Sequence, residues 1–234
     1  MMLTVSNINS FYGAAHILHD VSLTISQGEA VALLGRNGAG KSTLMKSIIG
    51  IVPPRSGNIM FEGKEVSGLN PFVIARRGVG FVPEDRRIFV SLTVEENLEV
   101  GRRHAPMGRE PWTREKLYSI FPNLAEMRGR LAAHMSGGEQ QMLTVARTLM
   151  GNPSLILLDE PSEGLSPKIV EQVAQAIIHV TASGITVLLS EQNMHFASLV
   201  SERAYVIEKG QIKFSGTIDS LRSNDDIRRN YLAI

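Results

Sequence analysis

The order of hydrophobic and polar residues predicts β-structure at the start of the chain, followed by a helix. Short apolar runs within residues 3–34, namely LTV, VSLTI and AVALL, are separated by turn residues and are typical of strands. After Lys41 apolar residues recur at intervals of three or four, which predicts a helix that ends near Gly50. A further strand pair is expected around the segment GNIMFEG, residues 57–63.

The second half of the chain has two characters. Residues 85–150 are helical in pattern and rich in arginine, and the loop GRRHAPMGREP interrupts them. From residue 153 strands and helices alternate, and in the first of these helices Ser166 fits the N-cap and Pro167 the first helical position. Strands that are almost wholly apolar and alternate with helices predict a mainly parallel sheet covered on both faces. The fold class is therefore α/β, and the helical block is an inserted lobe.

Composition narrows the class of protein further. The chain has 234 residues, of which 43% are hydrophobic, and its net charge of +1 gives no general attraction to nucleic acid or anionic lipid. It has no cysteine, which excludes disulfides and thiolate zinc sites. The sequence shows neither a signal peptide nor an apolar run of membrane length. We therefore expect a soluble, cytoplasmic chain that only a partner would hold at a membrane.

A phosphate-binding loop is predicted at residues 35–42, GRNGAGKS. They match the pattern G-x-x-x-x-G-K-[ST] in full and lie between a strand and a helix. The glycines let successive backbone N–H groups face a phosphate, and the helix N-terminus adds the positive end of its dipole. Lys41 is expected to reach the β- and γ-phosphates of a nucleotide, and Ser42 to ligate Mg²⁺.

The segment LILLDE supplies a second candidate group, because two adjacent carboxylates follow an apolar strand. Taken alone, this pair also fits a simple cap of the next helix. Beside a phosphate loop, Asp159 is predicted to serve the metal and Glu160 to polarise the attacking water.

A third motif, SGGE at residues 136–139, begins another helix. Ser136 with Glu139 three residues later has the form of a capping box, which explains this stretch without any ligand. A glycine pair at the start of a helix is also typical of a phosphate-binding site, which would be the second in this chain. The sequence thus raises the question why one chain would carry two phosphate-binding motifs.

Together these motifs resemble the nucleotide-binding subunit of ABC transporters, in motif order and over nearly the whole length. GRNGAGKS resembles the Walker A loop, LILLDE the Walker B strand, MSGGE the LSGGQ signature and PSEGLS the D-loop. The resemblance implies a P-loop NTPase core with a mainly parallel sheet, an N-terminal antiparallel β subdomain and an inserted α-helical subdomain. It assigns residues 1–84 and 151–234 to the core with its β subdomain, and about 85–150 to the helical signature subdomain.

The resemblance also implies ATP and Mg²⁺ as cofactors and a site shared by two chains, with each nucleotide clamped between the phosphate loop of one and the signature of the other. The expected nucleotide-binding residues are Tyr12, Gly35, Arg36, Asn37, Gly38, Ala39, Gly40, Lys41, Ser42 and Thr43. The signature residues expected to act in trans are Ser136, Gly137, Gly138 and Glu139. The expected metal ligands are Ser42, Glu84 and Asp159, and the expected catalytic residues are Glu160 and Gln192. Tyr12 resembles the aromatic residue that stacks on adenine, although taken alone it better fits an ordinary surface position.

Met135 and Glu139 replace Leu and Gln of the signature, and Ser166 stands where Asp is common in the D-loop, but two other departures from the family's pattern bear on catalysis. Glu84 stands where Gln is usual and brings a negative charge near the γ-phosphate. Gln192 stands where His is usual, and its amide donates hydrogen bonds but cannot act as a base. Glu160 is therefore the main candidate for the base. His195 is either a substitute for the missing histidine or an ordinary helix residue.

The segments VPEDRRIF, SLTVEENLEVG and EQN resemble one branch of the family, the second ATPase of branched-chain amino acid importers and their relatives for urea and short amides. This branch implies an ATP hydrolase on the cytoplasmic face of the inner membrane. Its partners would be a second ATPase subunit, permeases that contact about Glu84 to Asn97, and a solute-binding protein, with no nucleic acid. An exporter subunit remains an alternative, as do a non-catalytic nucleotide-binding module and a soluble ABC ATPase acting on DNA or ribosomes. The last usually carries a coiled coil or a second ATPase domain, and this chain has neither.

Overall fold

The computed structural model describes residues 1–232, which form two β-sheets with helices packed against them. The strands are β1 (Leu3–Tyr12), β2 (Ala15–Ile25), β3 (Ala30–Leu34), β4 (Ser56–Phe61), β5 (Lys64–Glu65), β6 (Val79–Val82), β7 (Leu155–Asp159), β8 (Thr186–Glu191), β9 (Arg203–Glu208) and β10 (Gln211–Thr217). The α-helices are α1 (Lys41–Ile48), α2 (Pro71–Arg76), α3 (Val94–Gly101), α4 (Arg114–Ile120), α5 (Pro122–Glu126), α6 (Gly137–Leu149), α7 (Pro167–Ala182), α8 (Met194–Val200), α9 (Ile218–Arg222) and α10 (Asp225–Ile227). A 3₁₀ turn at Ala132–His134 and a π turn at Arg228–Leu232 complete the described elements.

The smaller sheet is antiparallel, and its strand order is β2–β1–β4–β5. The larger sheet has the order β10–β9–β3–β8–β7–β6 and is parallel except where β10 pairs with β9. Both parts of the predicted fold class, the antiparallel N-terminal sheet and the mainly parallel second sheet, are confirmed. The proposed subdomain boundaries near residues 84 and 150 stay a prediction.

The larger sheet is covered on both faces, and this explains why its central strands are apolar except near their ends. Every residue of β3 and β7 is buried. Successive side chains of a strand point to opposite faces. Accordingly Ile156 and Leu158 belong to one hydrophobic cluster, whereas Leu155 and Leu157 belong to the other. Burial on two sides leaves no position in these strands where a polar side chain could reach water.

The parallel pairing brings polar strand ends together. Leu34 of β3 lies beside Glu191 of β8, and Asp159 of β7 lies beside Ser190. Because neighbouring strands run in the same direction, their carboxyl ends share one edge of the sheet, which is where ligands bind in open α/β sheets. The phosphate loop, Glu160 and Gln192 each follow one of these strand ends.

Helices α3 and α6 each start at a capping box. Thr93 and Glu96 form a capping box at α3, and Ser136 and Glu139 form another at α6. Helix α7 begins at Pro167 as predicted and Ser166 holds the N-cap position, but the Ser166 side chain makes no capping hydrogen bond. In residues 1–232 no helix combines the length and apolarity that a membrane crossing requires.

Candidate functional site

The phosphate loop leaves β3 and opens α1, as the sequence predicts. Gly35 lies so close to the end of β9 that an added Cβ would sit 2.4 Å from the carbonyl oxygen of Ile207. Gly40 holds the N-cap of α1 with φ 111°, a conformation that residues with a Cβ rarely adopt. Two of the motif's glycines are therefore required by the backbone path itself.

The loop presents unpaired donors. Between residues 1 and 232 we find no hydrogen-bond acceptor for the backbone N–H groups of residues 36–38 and 40–43, and α1 has no side-chain cap and no acidic residue in its first turn. Unpaired N–H groups at a helix N-terminus form a site for an anion. The loop thus has the donor set and the polarity that a phosphate chain requires.

Lys41 lies inside the site with only 3% of its surface exposed. Its Nζ donates to the carbonyl oxygens of Gly35 at 2.8 Å and Arg36 at 3.1 Å, and it forms an ion pair with Glu160 Oε1 at 3.0 Å. A buried ammonium needs such partners because desolvation penalises its charge. The structure therefore joins the predicted phosphate-binding cation directly to the predicted base.

Glu160 is held by two neighbours. Besides Lys41, the amide of Gln192 donates to its Oε2 at 2.8 Å, and the same amide donates to Asn37 Oδ1 at 2.7 Å. Burial alone would raise the pKa of Glu160, but the hydrogen bonds from Gln192 and Lys41 lower it below its ordinary value. Glu160 also has φ 49°, an uncommon backbone conformation for a non-glycine residue that aims its side chain at the phosphate loop.

The predicted metal ligands Ser42 and Asp159 are in contact. Ser42 Oγ donates to Asp159 Oδ1 at 3.1 Å, and Ser190 Oγ donates to the same oxygen at 2.6 Å. Burial raises the pKa of Asp159, although both hydroxyl hydrogen bonds oppose the shift. A hydroxyl and a carboxylate that converge beside a phosphate loop are the oxygen donors that Mg²⁺ prefers, so these residues fit that ion.

Glu84, the third predicted metal ligand, is exposed, and within residues 1–232 no hydrogen bond or ion pair joins it to Ser42 or Asp159. It nevertheless lies near the site, because its charge helps raise the pKa of Glu163. The largest cause of that rise is a hydrogen bond between the carboxyl groups of Glu163 and Glu160. The role of Glu84 as a ligand stays a prediction.

The other predicted residues lie at the margins of the site. Tyr12 ends β1 with 47% of its surface exposed, so its ring is open to stack on a base. Ala39 and Thr43 are buried beneath the loop. His195 is exposed on α8, and no hydrogen bond of its ring to Glu160 or the phosphate loop is found within residues 1–232.

The signature forms the capping box that its sequence allows. The backbone N–H of Ser136 donates to Glu139 Oε2 at 2.7 Å, and the N–H of Glu139 donates to Ser136 Oγ at 3.4 Å. Among the described residues, no hydrogen bond connects positions 136–139 with the phosphate loop at 35–43. Within one chain, the phosphate loop and residues 136–139 are thus not joined.

Three residues of the site were not predicted from the sequence. Ser190 orients Asp159, Glu163 contacts Glu160, and Glu191 Oε1 accepts from the backbone N–H of Ser162 at 3.0 Å. Burial raises the pKa of Glu191 to about 6. The signal for Ser190 and Glu191 was a polar pair at the end of an apolar strand, the same signal that identified Asp159 and Glu160.

We expect Glu191→Gln to change how stability depends on pH. Folding raises the pKa of Glu191 from 4.5 to about 6, so the folded state favours the protonated acid and burial of the carboxylate is a cost. The contribution of Glu191 to the unfolding free energy therefore falls by about 2 kcal/mol as pH rises from about 4.5 to about 6, and is constant above that.

Urea unfolding at about pH 4.5 and pH 7 measures this difference. Glu191→Gln keeps the hydrogen-bond acceptor for Ser162. Between the two pH values, its unfolding free energy should rise by about 2 kcal/mol relative to that of the wild type. The exposed Glu202→Gln is the control and should show no such gain. A Glu191→Gln variant that tracks the wild type at both pH values would contradict the argument.

The chain is similar to ATP-binding proteins of known transporters. A model of the ABC transporter family matches residues 18–163. The high-affinity branched-chain amino acid transport ATP-binding protein BraG of Pseudomonas aeruginosa is 43% identical, over 99% of this chain and 99% of its own. The lipopolysaccharide export system ATP-binding protein LptB of Escherichia coli is 35% identical, over 98% of this chain and 96% of its own.

Solved structures share the fold. The ADP conformation of an ATP-binding cassette from an ABC transporter superimposes with a TM-score of 0.83 and 27% identity, over 97% of both chains. A dimeric post-hydrolysis state of an ATP-binding cassette bound to ADP and Pi has a TM-score of 0.78 and 26% identity, covering 93% of this chain and 99% of the other.

Proposed function

The chain belongs to the ABC transporter family of ATP hydrolases, and on this premise we propose that it powers the uptake of branched-chain amino acids across a membrane. The observation that carries the proposal is the similarity to BraG, which extends over 99% of both chains. We place the protein on the cytoplasmic face of the inner membrane, held there by its permease partners and working with a solute-binding protein.

The active unit in this proposal is a head-to-tail pair of ATPase subunits. Because the signature and the phosphate loop do not meet within one chain, each is free to contribute to a separate nucleotide site. A two-fold arrangement would join the loop of one subunit to the signature of the other and create two equivalent sites. ATP would then stabilise the closed pair because it contacts both subunits.

Nucleotide binding would also change the pKa of Glu160, the proposed base. The phosphates attract the ammonium of Lys41, which here is paired with Glu160 at 3.0 Å. As this pair loosens, Glu160 loses a cation that lowers its pKa and becomes a better proton acceptor. Mg²⁺, which Ser42, Asp159 and Glu84 would hold, would offset negative charge on the phosphate oxygens.

In the hydrolysis that we propose, Glu160 accepts a proton from a water molecule while the oxygen of that water forms a bond to the γ-phosphorus. The bond between that phosphorus and the β–γ bridging oxygen breaks, and ADP leaves with the electron pair. The two N–H donors of the Gln192 amide here reach Glu160 and Asn37, and one of them would have to change partner to bind a γ-phosphate oxygen. Lys41 and the donors of the loop stabilise the charge that develops.

A permease contact is proposed at an apolar groove of about 440 Å³ between α2, α3 and α6. Its walls include Phe72 and Val100, with exposed fractions of 56% and 57%, and Phe89, which lies in the predicted contact segment from Glu84 to Asn97. Exposed apolar side chains of this kind mark interaction sites. A short amphipathic helix from a permease fits such a groove.

We expect Val100→Asp to uncouple the subunit from its permeases. A carboxylate in the groove would be buried without a partner when the permease helix docks, which should weaken docking by about tenfold or more. The ATPase rate of the subunit alone should remain unchanged, while permease-stimulated activity and uptake fall. Met107→Asp, on the fully exposed loop outside the groove, serves as the control and should leave both rates intact.

Uptake assays in cells that lack the chromosomal gene test the proposed function. Cells carrying the wild-type chain should accumulate labelled leucine, isoleucine and valine, and cells carrying Glu160→Gln should not. Uptake of urea or short amides instead would move the protein to the related branch. The 35% identity to LptB supports export as the second candidate, and a defect in lipopolysaccharide export without any loss of amino acid uptake would favour it.

A further inference from the structure

We infer that Arg86 belongs to the phosphate-binding surface of the signature and contacts, in trans, the ATP held by the second subunit. This inference rests on the proposed function, because it needs the two-subunit site. It assigns a nucleotide-binding role to a residue of the segment VPEDRRIF, which the sequence placed only in the expected permease-contact region.

The guanidinium of Arg86 lies against the first glycine of the signature. A Cβ added to Gly137 would be 2.8 Å from Nη1 and 3.4 Å from Cζ of Arg86. Gly137 is also the first residue of α6, so the guanidinium lies at the N-terminal end of that helix. Although Arg86 follows the core strand β6 in sequence, its charge is placed at the signature.

The backbone before the signature is shaped to place this side chain. Arg86 and Arg87 have φ values of 61° and 51°, a left-handed conformation that is unfavourable for residues with a Cβ. The turn is closed by hydrogen bonds from the N–H of Arg86 to Pro83 O at 3.1 Å and from the N–H of Arg87 to Asp85 O at 2.7 Å. Strain held in place by surrounding contacts is a reason to look for function at these residues.

A side chain of α6 ties the same turn to the signature helix. Nη2 of Arg147 donates to the carbonyl oxygen of Arg87 at 2.7 Å. Arg86 is therefore anchored to the helix that carries the signature. Any movement of α6 toward a second subunit would carry the Arg86 guanidinium with it.

The electrostatics of this placement favour an anion. Within residues 1–232 the Arg86 side chain has no hydrogen bond and no carboxylate within ion-pair distance. Two neighbouring carboxylates are engaged elsewhere, since Asp85 pairs with Arg87 at 2.8 Å and Glu139 caps Ser136. A cation at a helix N-terminus is repelled by the helix dipole. An anion bound there would meet the guanidinium and the helix N–H groups together, which turns an unfavourable pair into a complementary site.

The experiment compares neighbouring arginines in the Glu160→Gln background, which should retain ATP. Arg86→Ala should raise the ATP concentration that half-saturates dimer formation by about tenfold for each site. Arg87→Ala is the matched control, because it removes a guanidinium that pairs with Asp85 and has a similar backbone conformation. Light scattering after gel filtration measures the dimer, and ATP binding to dilute monomer should be the same in all variants.

The outcomes separate this inference from the proposed function. If the Glu160→Gln parent does not dimerise with ATP, the two-subunit site itself is wrong. If the parent dimerises and Arg86→Ala behaves like Arg87→Ala, Arg86 has no role. If Arg86→Ala weakens dimers equally with ATP and ADP, its partner is a group of the other subunit rather than the γ-phosphate, and the inference falls.

Mixed dimers test whether Arg86 acts in trans. Pairing a Lys41→Ala chain with an Arg86→Ala chain leaves one loop that binds ATP, and it faces a signature with its arginine intact. Pairing a Lys41→Ala/Arg86→Ala chain with an otherwise unchanged chain also leaves one loop that binds ATP, but this loop faces a signature that lacks Arg86. Differently tagged chains should retain labelled ATP in the first dimer and lose it in the second. The reverse order would show that Arg86 serves the ATP of its own subunit.

Discussion

Glu160→Gln is expected to lower steady-state ATP turnover by about 10²–10⁴-fold while the protein still binds ATP. Glutamine has the shape of glutamate, and its single amide oxygen can keep one of the two contacts, to Lys41 at 3.0 Å or to Gln192 at 2.8 Å, while the other partner must turn away from the new NH₂ group. The amide cannot accept the proton of the attacking water. Binding and closure would therefore proceed, and the chemical step would fail.

Two measurements check this expectation. Phosphate release gives the turnover rate, and gel filtration with labelled ATP shows whether the variant accumulates as a nucleotide-loaded dimer. Glu171→Gln, at an exposed position of α7, is the control for a general effect of losing a carboxylate and should turn over normally. Turnover by Glu160→Gln close to the wild-type rate would show that another group, such as His195, takes the proton.

The sequence predicts those parts of the site that depend on contiguous motifs and on the spacing of apolar residues. The phosphate loop is a contiguous motif between a strand and a helix, and the period of apolar residues identifies β3, β7 and β8 as buried strands. Parallel strands end at one edge, so Asp159 could be expected near the phosphate loop without any coordinates. These inferences need only the chain direction and the two periodicities.

Contacts between distant segments were not predictable in the same way. The ion pair of Lys41 with Glu160 and the hydrogen bond of Gln192 to Asn37 depend on side-chain directions at strand ends. The ion pair also involves Glu160 in a left-handed backbone conformation, which its residue type does not suggest. The approach of Arg86 to Gly137 likewise follows from a strained turn. Periodicity and motif spacing carry no information about such positions.

The same reasoning separates two meanings of the capping box at residues 136–139. The sequence offers a cap or a phosphate grip as alternatives, and the structure shows that the cap is formed. The cap uses the backbone N–H groups of Ser136 and Glu139. Those of Gly137 and Gly138 have no acceptor within residues 1–232, so the cap leaves donors for a phosphate. The two interpretations are compatible, and this is why a local motif alone could not choose between them.

Lys41→Ala should reduce ATP affinity by about a hundredfold or more, because the ammonium would contribute charge-assisted hydrogen bonds of about 1.5–3 kcal/mol each to the phosphates. The variant should also be less stable. Glu160 would keep its burial and lose its cation, and breaking a buried pair from one side costs about 3–5 kcal/mol unless the remaining group is neutralised. The pKa of Glu160 should rise as a result, so the loss of stability should shrink as the pH is lowered.

A double variant distinguishes these two effects. In Lys41→Ala/Glu160→Gln the unpaired carboxylate is gone, so urea unfolding should show most of the lost stability restored, while equilibrium dialysis should still show weak ATP binding. Lys46→Ala, which removes a lysine from the same helix outside the phosphate loop, should bind ATP normally. If ATP affinity returned together with stability in the double variant, Lys41 would act by holding the fold rather than by meeting the phosphates. If Lys41→Ala alone bound ATP as tightly as the wild type, residues 35–42 would not be the nucleotide site.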